Sequence, residues 1–220
     1  MNKKVKTSQL FSCETPYLKD LFEKYEYPWE MLPVLKDYIK NLIANGLDGF
    51  AELKEGVWVG NNVEISPFAT IQPPAIIGHN TEIRPGAYIR GSVITGENCV
   101  IGNSTELKNC ILLNNVQVPH YNYVGDSVLG NFSHMGAGSI CSNLKTDKKP
   151  VVIRGEENIE TGIKKIGGIL ADGADIGCGC VLNPGTVIGK STSAYPLNSL
   201  RGVFPEDSII KSQDNIVKRK

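Results

Sequence analysis

The sequence predicts an all-β chain, a parallel β-helix of hexapeptide repeats with a small helical cap at its N-terminus. Three observations lead there. First, an aliphatic residue recurs every six positions: Val59, Ile65, Ile71, Ile77, Ile83, Ile89, then Thr95, Ile101, Leu107 and Leu113. Second, the position four residues later is mostly small, as in Ala69, Ala75, Thr81, Ala87, Cys99 and Thr105. Third, turn-forming residues fall between the aliphatics, among them Gly60-Asn61-Asn62, Gly78-His79-Asn80, Pro85-Gly86 and Gly96-Glu97-Asn98. A period of six matches neither the 3.6-residue helix nor the two-residue strand. It matches a coil with three short flat faces, each contributing one inward aliphatic.

The elements follow in chain order. Residues 1–55 lack the period. Thr15-Pro16 is suited to start a short helix and Pro28 a second, since proline favours the first helical position. The second carries Trp29, Leu32, Leu35, Ile39 and Ile43 at helical spacing and ends at Gly46. This piece is expected to cover the open end of the β-helix, because solenoids need caps. Residues 56–204 form the β-helix. Its register breaks around Pro119, resumes at Val124, Leu129 and Met135, and is interrupted by a polar loop over 142–168. A loop of that length on a repetitive scaffold is more often functional than accidental. The repeat returns in a new phase at Leu170, Ile176, Leu182, Ile188, Ala194 and Leu200. Residues 205–220 read as a solvated tail.

Composition narrows the function classes. The 220 residues carry 23 Lys+Arg and 23 Asp+Glu, so net charge offers no reason to expect nucleic acid or an anionic membrane as partner. No apolar run approaches the roughly 20 residues of a membrane span. The basic start, Met-Asn-Lys-Lys, is followed by no apolar stretch and is not a signal peptide. A cytoplasmic protein is expected. The six cysteines read as free thiols. Cys178-Gly-Cys180 has a single residue between its thiols and no second pair nearby, so no metal site is expected. Three histidines, His79, His120 and His134, are too few for a zinc-dependent β-helical hydratase, since His79 lies in an ordinary turn.

The interruptions of the repeat are more specific than the repeat. His120-Tyr-Asn-Tyr-Val-Gly-Asp-Ser-Val-Leu-Gly, then Gly136-Ala-Gly-Ser-Ile and Asn143, closely resemble the acetyltransferase half of the bifunctional N-acetylglucosamine-1-phosphate uridylyltransferase/glucosamine-1-phosphate acetyltransferase. So do Ile83-Arg84-Pro85-Gly86-Ala87 and Gly102-Asn-Ser-Thr-Glu-Leu-Lys108. The resemblance covers about residues 57–200. It implies a left-handed β-helix, acetyl-CoA as co-substrate, an amino-sugar phosphate as acceptor, a place in UDP-N-acetylglucosamine synthesis, and a homotrimer with each site at a subunit boundary. The uridylyltransferase half should open on a glycine-rich loop; residues 1–20 hold no glycine, so the chain reads as a short form.

Amide formation from a thioester needs a base for the attacking amine and donors for the developing oxyanion. A sugar phosphate needs cationic clamps. The resemblance gives His120 the role of base, and imidazole titrates in the right range for it. It puts Arg84 and Lys108 on phosphate and sugar, Tyr123 and Asn143 in hydrogen bonds to the sugar, and Lys149 in a neighbouring subunit's site. Ala137 and Cys178 would line the acetyl-CoA slot, Cys178 standing where the family has serine and acting as a slot residue rather than a nucleophile. His134 replaces an asparagine that contacts the sugar. This opens the acceptor to a galactosamine-type or other amino sugar and makes His134 a second candidate base. Arg84 and Lys108 are also six residues further apart than in the bacterial enzymes, one face of a coil. The alternatives are an acyltransferase with a different acceptor and a non-catalytic sugar-phosphate-binding or trimerisation subunit.

Overall fold

The computed structural model describes residues 5–219. Short parallel strands stack into three sheets that form the sides of a prism. Sheet A runs through Val57–Val59, Ala75–Ile77, Val93–Thr95, Cys110–Leu112, Val128–Leu129, Gly168–Leu170, Thr186–Ile188 and Val203–Phe204. Sheet B begins at Glu64–Ile65 and sheet C at Thr70–Ile71. Ile65 pairs with Ile83 and Ile83 with Ile101, a spacing of 18 residues, so each regular coil holds three hexapeptides. This is the expected β-helix.

The hexapeptide aliphatics point inward. Ile77, Ile83, Ile89, Ile101, Leu107, Val118, Val124, Leu129, Met135 and Leu182 are fully or almost fully buried in one continuous core. Two coils are one residue short: Ile94 pairs with Ile111 and Ile111 with Val128, a spacing of 17. The missing residue lies at the corner from sheet C to sheet A, at Asn109 and again at Asp126, which take left-handed φ values of 47° and 48°. Asn and Asp tolerate that conformation better than most residues. The phase of the repeat therefore slips at Asn109, ten residues before Pro119. Leu112, not Leu113, is the inward residue of its strand. The loop over 142–168 leaves from this same corner, and Leu129 pairs with Leu170, 41 residues on.

The N-terminal residues form α1 (Thr7–Leu10), α2 (Pro16–Lys24), a 3₁₀ turn (Pro28–Met31) and α3 (Leu35–Asn45). The single helix expected from Pro28 is split. Pro33 has no N–H to donate, and regular helix starts after it. Gly46 ends α3 at φ 78°. These helices do not cover the open end of the β-helix, as expected from sequence, but lie along the outer face of sheet A. The outward residue of each sheet A strand is large and apolar: Ile76, Ile94, Ile111, Val128, Ile169 and Val187 are all fully buried, against Leu18, Trp29, Leu35 and Ile39 among others. Outward positions on the other sheets are mostly polar, for example Glu64, Glu82, Gln117, His134 and Asp175 on sheet B. An apolar outer face exposed to water is unfavourable, so the helices settle there.

The loop over 142–168 folds on its own chain. Its antiparallel hairpin, Val152–Arg154 with Asn158–Glu160, buries Ile153, and the flanking Val151 and Ile166 are buried in the same cluster on sheet A. The expected C-terminal tail is also folded: Ser208–Ser212 and Asn215–Lys218 form an antiparallel hairpin on sheet B. At the other end Ala51–Lys54 pairs antiparallel with Val57–Val59. Both additions terminate open ladders that would otherwise offer free backbone groups. No helix among the described residues is long and apolar enough to cross a membrane.

Candidate active site

Stacked coils turn sequence positions into vertical ladders. At the corner from sheet B to sheet C, His120, Ala137 and Cys178 are successive steps. The Gly138 amide donates to the His120 carbonyl at 3.0 Å and the Gly179 amide to the Ala137 carbonyl at 2.8 Å. The corner is locked from inside by Asn122, which is 2% exposed. Its Oδ1 accepts from the His120 amide (3.1 Å) and its Nδ2 donates to the Gly136 carbonyl (2.8 Å). The His120 imidazole is exposed and has no hydrogen-bond partner among the described residues.

A second group forms at the opposite edge of sheet C. Asp126, almost buried, is its hub. Oδ2 accepts from Lys108 Nζ at 3.0 Å and from Asn143 Nδ2 at 2.5 Å, and Oδ1 accepts from Asn109 Nδ2 at 2.8 Å. Asn143 Nδ2 also lies 3.2 Å from the Tyr123 hydroxyl. Burial pushes the Tyr123 phenol above its ordinary pKa. Gly125 makes this packing possible: a Cβ there would sit 2.4 Å from the Tyr123 hydroxyl oxygen. His120 thus stands at the corner that enters sheet C and the Lys108–Asp126–Asn143 group at the edge where sheet C ends, with Tyr123 between them.

Three of the expected sugar-binding residues, Lys108, Tyr123 and Asn143, therefore meet. Arg84 does not join them. It begins the corner after sheet B, and its Nε and Nη2 each donate to Glu82 at 2.9 Å. That bond holds the Glu82 carboxyl below its usual range. The extra hexapeptide has turned Arg84 to another face. Arg90 instead stacks beneath Lys108, Ile89 pairing with Leu107. Its guanidinium donates to Glu106 at 2.6 Å and lies 6.0 Å from the Tyr88 ring centre. Arg90 and Asp126 were not singled out from sequence. Arg90 could have been found by its spacing of 18 residues from Lys108, one full coil; Asp126 stood inside the quoted motif.

His134 projects outward on sheet B, with Nδ1 2.8 Å from Asp175 Oδ1. This contact holds the Asp175 carboxyl below its usual range. Lys149 lies in an exposed turn whose amide donates to Asp147 at 3.1 Å. No group of three metal-ligating side chains occurs among the described residues.

All six cysteines are free. Burial pushes the Cys99 thiol up to about 12 and those of Cys13 and Cys141 to about 11, and also raises Cys110 and Cys180. Cys178 alone is exposed. A thiol reagent at pH 8 is therefore expected to label Cys178 first, since thiolate and access control the rate. The resemblance puts Cys178 in an acetyl-CoA slot, and on that expectation saturating acetyl-CoA slows the labelling, as followed by mass spectrometry. Equal rates with and without it would remove Cys178 from the slot.

Fold and site together define a hexapeptide-repeat parallel β-helix with a cluster of polar side chains along one sheet. Comparison with known proteins agrees and is more particular. Residues 71–163 match the family model "GMPPB C-terminal domain". The whole chain is 34% identical to the bifunctional protein GlmU of Methanococcus maripaludis and covers 54% of it. A stretch covering 44% of the chain is 33% identical to a bifunctional sugar-1-phosphate nucleotidylyltransferase/acetyltransferase of Sulfurisphaera tokodaii, covering 24% of that protein. Among solved structures, a hexapeptide transferase family protein from Anaplasma phagocytophilum is similar at 17% identity, over 75% of this chain and 81% of its own, with a TM-score of 0.42. The chain resembles the GlmU proteins of Methanococcus maripaludis and Methanococcus vannielii along its entire length, and it spans about half the length of each.

Proposed function

We propose that the chain transfers an acetyl group from acetyl-CoA to the amine of an amino-sugar 1-phosphate, acting as a cytoplasmic homotrimer. The observation that carries this reading is the layout of sheet C. A free imidazole and a slot of small corner residues stand at one edge, and a clamped lysine, a phenol and a carboxamide at the other. The name of the Sulfurisphaera tokodaii relative, a bifunctional sugar-1-phosphate nucleotidylyltransferase/acetyltransferase, supports it.

In the proposed step His120 takes a proton from the sugar's amine. The amine nitrogen attacks the thioester carbonyl carbon, the C–S bond breaks, and the thiol leaves with the proton that His120 held. Holding both substrates on one rigid sheet supplies much of the acceleration. Lys108 and Arg90 offer cations to the phosphate, while Tyr123 and Asn143 offer hydrogen bonds to the ring. Cys178 has no covalent role in this direct transfer.

A second reading concerns the base. His134 is the histidine with a carboxylate partner: Asp175 at Nδ1 leaves Nε2 as the proton acceptor. The experiment is thiol release from acetyl-CoA with glucosamine 1-phosphate, galactosamine 1-phosphate, the free amino sugars and UDP-linked amino sugars. Release with one phosphorylated amino sugar supports the proposal. Silence across the panel with acetyl-CoA still bound points to another acceptor, and silence without binding to a non-catalytic subunit.

A further inference from the structure

The first coils carry a pocket that the proposed transfer does not use. It lies between the C-terminal end of α3, the segment over 46–50 and the corner from sheet A to sheet B, and has a volume of about 780 Å³. Neither His120 nor the Lys108 group lines it. Four rings form its walls: Tyr17, Phe50, Trp58 and His79. The Phe50 ring centre stands 5.2 Å from that of Tyr17, edge to face, and 4.7 Å from that of His79. The flanking rings are fixed. The Tyr17 hydroxyl donates to the Thr95 carbonyl at 2.8 Å, and Gly78 leaves room for it, since a Cβ there would come within 2.6 Å of the hydroxyl oxygen. His79 Nδ1 accepts from the Asn61 amide at 2.7 Å, so that nitrogen carries no proton. Gly49 packs against the same ring, where a Cβ would stand 3.3 Å from His79 Cε1.

The charge in this pocket has one sign. Asp48 and Glu97 line it, and no lysine or arginine among the described residues does. Glu97 is the exception in a ladder. Along this corner a side chain accepts the amide of the coil before it: His79 from Asn61, Asn114 from Glu97, Asn131 from Asn114 and Asp172 from Asn131. The Glu97 carboxylate takes no such bond and has no hydrogen-bond or ion-pair partner among the described residues, and neither has Asp48. Burial above all, with Cys99 and Glu97 adding to it, raises the Tyr17 phenol far above its ordinary pKa, so that ring stays neutral.

We propose that this pocket binds a small organic ammonium ion. Aromatic faces attract such a cation, and carboxylates without a partner supply the counter-charge. Rings held in place beforehand lose little freedom on binding. Leu42 and Leu47 add apolar surface for the alkyl part, and the volume falls in the range of small-ligand sites. An anionic ligand finds no cation here, which sets the pocket apart from the phosphate and acyl-carrier ends of the proposed reaction. The inference stands whether or not the chain transfers acetyl groups.

Titration calorimetry tests the site without requiring turnover. The probes are choline, its uncharged isostere with a tert-butyl group in place of the trimethylammonium, and butylammonium. The wild-type protein should bind at least one of the two cations, and the isostere should bind about fivefold more weakly than choline or worse. Glu97→Gln keeps the side-chain shape and should weaken cation binding by about fivefold or more, and Phe50→Leu by a similar factor, the scale of one cation–π contact. Asn45→Lys, at an exposed position lining the pocket, should weaken it independently by adding a like charge. Tighter butylammonium would support a ligand whose N–H groups donate to Glu97, and tighter choline a quaternary one. Binding of neither cation, an isostere that binds as tightly as choline, or unchanged affinity in both Glu97→Gln and Asn45→Lys would overturn the proposal.

Discussion

Replacing His120 by alanine is expected to lower turnover by roughly 10² or more, the usual contribution of a general base. Binding of acetyl-CoA and thermal stability should hardly change. The reason is structural. The imidazole is exposed and makes no hydrogen bond to described residues, while the corner is held by its backbone and by Asn122. A steady-state comparison of His120→Ala, His134→Ala and Asp175→Asn separates the candidate bases. Full turnover in His120→Ala, with turnover lost in the other two, would transfer the role to His134.

Asp126→Ala is expected to be the most disruptive single change at the site. It removes an almost buried carboxylate that accepts from Lys108, Asn109 and Asn143, and leaves three donors without it. Breaking such a pair costs about 3 kcal/mol or more. For a chain of this size that lowers Tm by about 6–12 °C. The apparent KM for the sugar phosphate should rise about tenfold, because Lys108 and Asn143 lose the group that aims them. Asp126→Asn keeps the shape and the tolerance for left-handed φ and should cost less stability. Calorimetry with parallel kinetics checks both. An Asp126→Ala protein with wild-type Tm and KM would show that the hub organises nothing.

The β-helix was legible because its period is written by the core: each inward aliphatic fills one position of a three-sided coil. The phase slip was less legible, since deleting one corner residue at Asn109 moves the inward role from Leu113 to Leu112, and both are leucine. The placement of the helices was also visible in principle. Ile76, Ile94 and Ile111 stand next to inward positions and mark a sheet apolar on both faces, yet that pattern is hidden beneath the stronger six-residue one. At the site, motif residues that share a corner, such as Lys108 and Asn143, came together. Arg84 did not, because one extra hexapeptide rotates a residue to a different side of the prism. Corner position, not distance along the chain, decides which residues meet.

One further consequence comes from the N-terminal segment. The Leu10 carbonyl accepts from the Asp172 amide, Ser12 bonds to Asp172 and Lys190, Thr15 Oγ1 donates to Asn114, and the Tyr17 hydroxyl donates to the Thr95 carbonyl. Eight residues thus run down one corner and tie together coils that are far apart in the chain. A bare solenoid unravels step by step from its ends, since each repeat answers only to its neighbours. This strap makes opening at Lys190 compete with contacts that reach back to Thr95. It can dock only after those coils exist, so residues 10–17 are expected to be among the last to order during folding.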